Sequence, residues 1–159
     1  MSRSIADFAA GPRLLRLAAS GMTVEQLKAR PIPGRWSALE VVCHLVDSEQ
    51  IWCHRMKRVI GEDRPLLIGY DESRLAAALG YQNRDVEAEL ALFEATRSQM
   101  VAILSEVDAS AWRRSGVHSE RGLVTLEEMV QIETEHVIHH VRHVSEKRQA
   151  LGLPPIALA

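Results

Sequence analysis

The sequence predicts an all-α protein whose helices form a four-helix bundle. Two capping boxes, SALE and TLEE, each begin a long segment with apolar residues at helical spacing, and a third such segment lies between them. An N-terminal apolar segment supplies a fourth helix. No stretch combines sustained polar and apolar alternation with β-branched enrichment, so no strand is predicted. Four helices in one small chain pack most simply as a bundle.

The first two helices are defined by their breakers and caps. The first is predicted over residues 4–19, where Gly11 and Pro12 bend the helix or divide it in two. The second begins at the SALE capping box and spans about residues 37–60, because a glycine then stops it.

The last two helices follow long connections. Asn83 is the predicted N-cap of the third helix, which spans residues 83–107. The fourth begins at the TLEE capping box and spans about residues 125–150, where LGLPPIALA supplies a glycine and two prolines. The connections at 61–83 and 108–124 are long for a bundle, and long connections are more often functional than idle.

Composition indicates one globular domain over residues 1–159, with 47% hydrophobic and 25% charged residues. A net charge of −2 and a pI near 6.4 give no electrostatic basis for binding nucleic acid. No apolar run is long enough to span a membrane, and the N-terminus has no signal-peptide core. We therefore expect a cytoplasmic protein with neither nucleic-acid nor membrane partners.

The two cysteines are predicted to be reduced thiols. Cys43 and Cys53 lie ten positions apart in one predicted helix, which separates them by about 15 Å. A disulfide requires Cα atoms within about 7 Å of each other. They also point away from the predicted ligand face, so neither is expected to be a ligand or a nucleophile.

Helical phase divides the four histidines of ETEHVIHHVRHV, residues 133–144, into two pairs. His136 and His140 border the apolar face of the fourth helix, whereas His139 and His143 point towards solvent or another chain. That apolar face runs through Leu126, Val130, Val137, Val141 and Val144.

A third inward histidine comes from the second helix. His44 lies at the edge of an apolar face that contains Val41, Leu45, Trp52 and Met56. Side-by-side packing would bring His44 to the inward pair of the fourth helix. Three neutral imidazoles and one open position match a catalytic metal site for zinc, nickel or ferrous iron. The metalloprotease pattern H-E-x-x-H is absent because position 137 is valine.

Three segments together resemble the DinB/YfiT-like superfamily of metal-binding four-helix bundles. They are PGRWSALEVVCHLVDSE, WRRSGVHSERGLVTLEEMV and EHVIHHVRH, in the family's order, within residues 33–143. The resemblance implies an up-down-down-up bundle, often dimeric. It also implies a divalent metal on His44, from Trp-Ser-x-x-Glu-x-x-x-His, and on His136 and His140, from His-x-x-His-His.

Other candidate residues lie around the implied site. Asp47, Glu40 and Glu133 are candidate carboxylates for orienting an imidazole or for proton transfer. The resemblance implies that Arg114 and His118 lie near the site mouth.

The sequence departs from the family where Arg142 and His143 replace a Gly-Gln found in many relatives, and this makes His143 a further substrate-binding candidate. The three tryptophans of the chain are interpreted as core and loop anchors. They are Trp36, Trp52 and Trp112.

The leading function is a metal-dependent enzyme acting on a small molecule. The resemblance implies either hydrolysis or thiol-dependent transfer, with a low-molecular-weight thiol as cosubstrate, and the residues do not choose between them. The alternatives are a non-catalytic metal-binding stress-response protein or dimeric interaction protein, and a helical interaction domain without metal. A homodimer is expected in the leading case.

Overall fold

Helices dominate residues 3–157, the part of the chain that this computed structural model describes. The α-helices are α1 Arg3–Ala9, α2 Gly11–Ala19, α3 Val24–Lys28, α4 Ala38–Gly61, α5 Glu72–Ala78, α6 Val86–Glu106 and α7 Leu126–Ala150. The strands are β1 Leu66–Leu67, β2 Ser115–His118 and β3 Gly122–Thr125. Within this range no helix is both long and apolar enough to cross a membrane.

The predicted four-helix bundle is confirmed, with α1 and α2 together forming its first arm. The four arms run up, down, down and up along the chain. Helices α1 and α2 pack against α6 and α7, and α4 packs against the same two helices. The first arm divides at Gly11, as predicted, because Pro12 begins a new helix.

Both predicted capping boxes are present. Ser37 Oγ accepts a hydrogen bond from the Glu40 backbone N–H, and the Glu40 carboxylate accepts one from the Ser37 N–H. The predicted cap at Asn83 is wrong, because Asn83 ends a short 3₁₀ turn. Two residues later, the Asp85 carboxylate accepts from the Ala88 N–H and begins α6.

The absence of strands was also a wrong prediction. Strand β1 pairs in parallel with β2, and β2 pairs antiparallel with β3. Segments of two to four residues are too short to show alternation, and the parallel partner lies far away in sequence. Gly116 permits the close approach, because a Cβ there would lie 2.7 Å from Leu67 Cδ1. The sheet joins the two long connections of the bundle.

The apolar core consists of two clusters, one towards each end of the bundle. Leu45 and Phe93 belong to the first cluster, and Trp52 and Met100 belong to the second. A buried charged residue lies between the two clusters on both α4 and α6. It follows Leu45 on α4 and Phe93 on α6.

Those two charges, Glu49 and Arg97, form a paired ion bridge inside the bundle. Arg97 Nε donates to Glu49 Oε1 at 2.6 Å, and Arg97 Nη2 donates to Glu49 Oε2 at 2.5 Å. Arg97 Nη1 donates to the Phe8 carbonyl at 2.7 Å, and the guanidinium lies 3.7 Å from the Phe8 ring centroid. One arginine therefore joins α1, α4 and α6.

Both cysteines are free and buried in α4. Cys53 Sγ donates to Glu49 Oε1 at 3.2 Å, and burial raises the pKa of the Cys53 thiol. Burial also raises the pKa of Cys43 to about 12. Both thiols therefore stay protonated and are poor nucleophiles near neutral pH.

Replacing Arg97 with methionine is expected to lower the free energy of unfolding by about 3 to 5 kcal/mol, because Glu49 is left buried without a countercharge. Adding Glu49→Leu removes both charges, and this double variant should recover most of the loss. Urea denaturation measures the change in each variant.

The matched control is Arg16→Met, which breaks an exposed pair with Glu87 and should cost less than about 1 kcal/mol. A double variant no more stable than Arg97→Met alone would contradict the role assigned to the pair.

Candidate metal centre

Three histidines from two helices meet at one point in the structure. His44 comes from α4, and His136 and His140 come from successive turns of α7. One ligand nitrogen from each lies within 4.8 Å of the other two, and the Nε2 atoms of His44 and His136 are 3.1 Å apart. The ring centroids are 4.6 to 5.0 Å apart. The structure thus brings together the three residues selected from the sequence.

Local packing explains this convergence. Helices α4 and α7 are in contact along the bundle, and the buried residues Val137 and Val141 turn the inward face of α7 towards the core. His136 and His140 are four positions apart, so they lie on one side of that face. His44 is 2% exposed and contacts both rings from α4.

The cluster is electrostatically suited to a cation. Burial, followed by the neighbouring His136 imidazole, lowers the pKa of His44 to about 4. Burial and the imidazoles of His136 and His44 lower the pKa of His140 to about 2. Both rings are therefore neutral at neutral pH, and a neutral imidazole offers a lone pair to a metal.

Unsatisfied polar atoms surround the cluster. The Nδ1 atoms of His136 and His140 and Oε1 of Glu133 are buried without a hydrogen-bond partner among the described residues. Buried polar groups normally have partners, so such a group of exceptions requires an explanation. A divalent ion bound by one nitrogen of each ring explains why three neutral imidazoles are buried together, and it leaves the other nitrogen of each ring as an N–H donor, which for His136 faces Glu133 Oε1 at 3.7 Å. The residues therefore fit a metal.

A cavity of about 390 Å³ adjoins one side of the cluster. His44 and His136 form part of its wall, and residues from α4, α7 and the two long connections complete it. An ion held by the three histidines would therefore have its open position near this cavity. The cavity is large enough for a small-molecule ligand.

Of the three candidate carboxylates, only Glu133 lies beside the cluster. Its Oε1 is 3.7 Å from His136 Nδ1, and its side chain is 2% exposed. Asp47 instead accepts hydrogen bonds from Tyr81 and Arg84. Glu40 is occupied by the helix cap and by Arg30. Neither of these two carboxylates contacts an imidazole.

The three candidate substrate residues have different positions. His118 is buried and lines the cavity. Arg114 instead donates to the carbonyls of Val59 and Glu62 at the end of α4, away from the cavity. His143 lies outside the cavity, with its Nε2 atom 3.1 Å from that of His139.

Several cavity residues were missed by sequence reasoning. Ser48 and Arg55 line the cavity on the same face of α4 as His44, and helical spacing could have found them. Trp52, interpreted from the sequence as a core anchor, is buried but also lines the cavity. Glu72, whose Oε2 is 3.7 Å from His44 Nε2, comes from a connection and has no comparable signal.

Comparison with known proteins agrees with this architecture. A model of the DinB superfamily matches residues 7–144. The chain belongs to this superfamily. A protein of Oceanobacillus iheyensis, named "putative metal-dependent hydrolase", is 30% identical over 134 residues, which are 84% of this chain and 77% of that protein.

Two solved structures extend the comparison. YfiT from Bacillus subtilis, described as a probable metal-dependent hydrolase, has a TM-score of 0.89 and 26% identity, covering 96% of this chain and 91% of its own. A mycothiol-dependent maleylpyruvate isomerase has a TM-score of 0.69 and 17% identity, covering 87% of this chain and 58% of its own. The second likeness concerns the fold alone.

Alanine substitution of His44, His136 or His140 is expected to weaken zinc binding by more than about 100-fold. Loss of a residue that only hydrogen-bonds to a metal ligand already costs about 10- to 100-fold in affinity, and loss of the ligand itself should cost more. Competition with a chromophoric chelator measures the affinity, using protein without a histidine tag. Glu133→Gln should weaken binding by the smaller factor.

The matched control replaces His143 with alanine. This residue is on the same helix, outside both the three-histidine group and the cavity, and its loss should leave the tight site intact. Equal zinc affinity in the wild type and all three inward variants would refute the assignment of the ligands.

Proposed function

We propose that this protein is a metal-dependent enzyme in which His44, His136 and His140 hold one divalent ion beside the cavity. The convergence of three ligand nitrogens within 4.8 Å carries this proposal, and no fourth side chain of residues 3–157 joins the group. An ion in such a site supplies Lewis acidity, which lowers the pKa of a water or thiol bound at the open position. Zinc, nickel and ferrous iron all accept imidazole ligands.

Glu133 is the carboxylate that we assign to this chemistry. It lines the cavity, and its unpartnered Oε1 faces the Nδ1 edge of His136 at 3.7 Å. A carboxylate in this position orients an imidazole and increases its basicity. It is also the nearest buried group for accepting the proton that an activated nucleophile releases.

Hydrolysis of a small molecule is the first candidate reaction. Its support comes from the relatives at 26 to 30% identity that are named or described as metal-dependent hydrolases. The cavity beside the cluster gives a substrate access to the nucleophile.

Transfer of a low-molecular-weight thiol to an electrophile is the second candidate. Its support is the family resemblance, and the cavity of about 390 Å³ lies in the size range of small-molecule sites. A thiol and an electrophile could therefore share the space beside the cluster.

The proposal includes a small-molecule substrate, a homodimer and a cytoplasmic location. The size of the cavity supports the first of these. The homodimer follows the family resemblance, and the cytoplasmic location agrees with two free, buried cysteines. Light scattering of the purified protein measures the oligomeric state.

Metal-loaded protein is expected to turn over either ester or amide substrates, or an electrophile supplied with a small thiol. Chelation should abolish turnover, and zinc, nickel or ferrous iron should restore it. Glu133→Gln should lower kcat by about 100-fold or more, because a proton acceptor is lost. Initial rates and metal content are measured on the same samples.

The outcomes separate the alternatives. Hydrolysis without any thiol identifies a hydrolase, and turnover only with a thiol identifies a transferase. Tight metal binding with no turnover of either kind would instead support the non-catalytic metal-binding protein.

A further inference from the structure

Arg55 is a buried cation in the cavity wall, and no carboxylate oxygen of the described residues lies within 4 Å of it, although Glu133 and Glu120 attract it from farther away. It is 5% exposed, and its Nη2 donates to the Ile68 carbonyl. Within residues 3–157 it forms no ion pair and has no other protein acceptor. A guanidinium has five N–H donors, so most of the N–H groups of Arg55 have no protein acceptor among these residues.

The other buried arginines show how unusual this is. Arg97 has both oxygens of Glu49 and the Phe8 carbonyl as acceptors. Arg148 has three backbone carbonyls as acceptors. Burial of a cation without such acceptors is costly. Since Arg55 lines a cavity, an anionic ligand can supply the missing acceptors.

Aromatic side chains hold Arg55 in place. Its guanidinium carbon lies 4.8 Å from the Trp52 ring centroid and 5.8 Å from the Tyr70 ring centroid. These rings restrict the side chain and stabilise its charge by cation–π attraction. The guanidinium is therefore preorganised, which reduces the entropic cost of binding an anion.

His118 provides a second donor near Arg55. Its Nδ1 accepts the Glu120 backbone N–H at 3.2 Å, which leaves the proton of the neutral ring on Nε2. The ring stacks on Trp52 with centroids 5.9 Å apart and planes 7° apart. Burial and the nearby Arg55 charge lower the pKa of His118 and favour this neutral form.

The cavity has two chemically different ends. His44 and Arg55 are eleven positions apart on α4, which corresponds to about 16 Å along the helix axis. Ser48 and Trp52 line the wall between them. Glu72 and Glu133 lie near the histidine cluster, and Glu133 is also close enough to attract the Arg55 guanidinium electrostatically. The exposed Glu120 and Arg121, which also line the cavity, carry opposite charges.

We propose that Arg55 and His118 form a binding site for a carboxylate group of the substrate. The proposal rests on the proposed function for its second part, which is that the reactive group of the same molecule lies at the three-histidine end. Arg55 offers a planar fork suited to a carboxylate, and His118 adds one neutral donor. The substrate class is therefore an elongated carboxylic acid with its electrophilic or thiol group several bonds from the carboxylate.

The first experiment uses metal-free protein and compares hexanoate with hexanamide. NMR of the arginine Nε–H groups reports binding at Arg55, and calorimetry gives both affinities. Hexanoate is expected to bind at least about 10-fold more tightly than hexanamide, because its hydrogen bonds to Arg55 are charge-assisted. Equal affinities, or binding that leaves the Arg55 resonance unmoved, would overturn the carboxylate site.

Variants test which residue gives the preference. Arg55→Gln should abolish the preference for hexanoate, and Arg55→Lys should retain only part of it. The matched control is Arg58→Gln, on the same helix but paired with Glu62 outside this cavity, and it should bind like the wild type. The wild-type comparison remains decisive if a variant does not fold.

The second experiment uses cobalt-loaded protein with an ω-mercapto acid and the ω-mercapto alcohol of the same length, in pairs of six, eight and eleven carbons, because the backbone positions of His44 and Arg55 are farther apart than a six-carbon chain spans. The thiolate-to-cobalt absorption band reports the metal end. In at least one pair the acid should produce this band at a concentration at least about 10-fold lower, and Arg55→Gln should remove that advantage. Equal concentrations in the wild type for all three pairs would overturn the carboxylate site.

The two experiments separate failure of the two proposals. If no thiol produces the band but metal-free protein still prefers hexanoate, the open position on the bound ion fails and the carboxylate site stands. If both thiols of each pair produce the band without any preference for the acid, the metal site stands and the carboxylate site fails.

Discussion

The bridge between Arg97 and Glu49 sets the alignment of three of the four arms of the bundle. Apolar contacts alone are tolerant of sliding, whereas two parallel hydrogen bonds between buried charges accept one alignment. The same guanidinium holds the Phe8 carbonyl, so the first, second and third arms of the bundle are aligned together. Helix α4 carries both the bridge and His44, so the bridge sets the height of His44 relative to α1 and α6. Helix α7 packs against α1, α2 and α4, and the position of His44 in the three-histidine cluster therefore depends in part on a contact outside that cluster.

The histidine cluster and the cavity wall both lower the stability of the fold. The cluster buries nitrogens and a carboxylate oxygen that have no hydrogen-bond partner among the described residues. The cavity wall contains a guanidinium with one protein acceptor among the same residues. Burial of polar groups without partners costs free energy. Such groups are common at sites that bind ligands, since a ligand completes the hydrogen bonds and the coordination. The two apolar clusters provide the stability that offsets this cost.

Helical phase predicted much of the bundle and the metal centre. His44, His136 and His140 were accessible because they lie on regular helices, where spacing determines direction. The same reasoning failed for Asp47, whose carboxylate is held by Tyr81 and Arg84 from a connection that has no periodicity. The strands were missed because their pairing joins segments that are distant in sequence. Glu72 and His118 also belong to these connections, and only the tertiary fold brings them to the cavity.

The small sheet has a consequence for how the cavity meets its ligand. Gly69 and Tyr70 follow β1 after one intervening residue, and β2 ends at His118, so paired strands anchor the residues that line the cavity from both connections. Gly116 has no side chain, and this allows β1 and β2 to approach each other closely. Connections of this length would otherwise sample many conformations, and their ordering would oppose binding. Folding has already met that entropic cost here. A ligand therefore enters a cavity whose walls are already ordered. The two connections lose little further conformational entropy when the ligand binds.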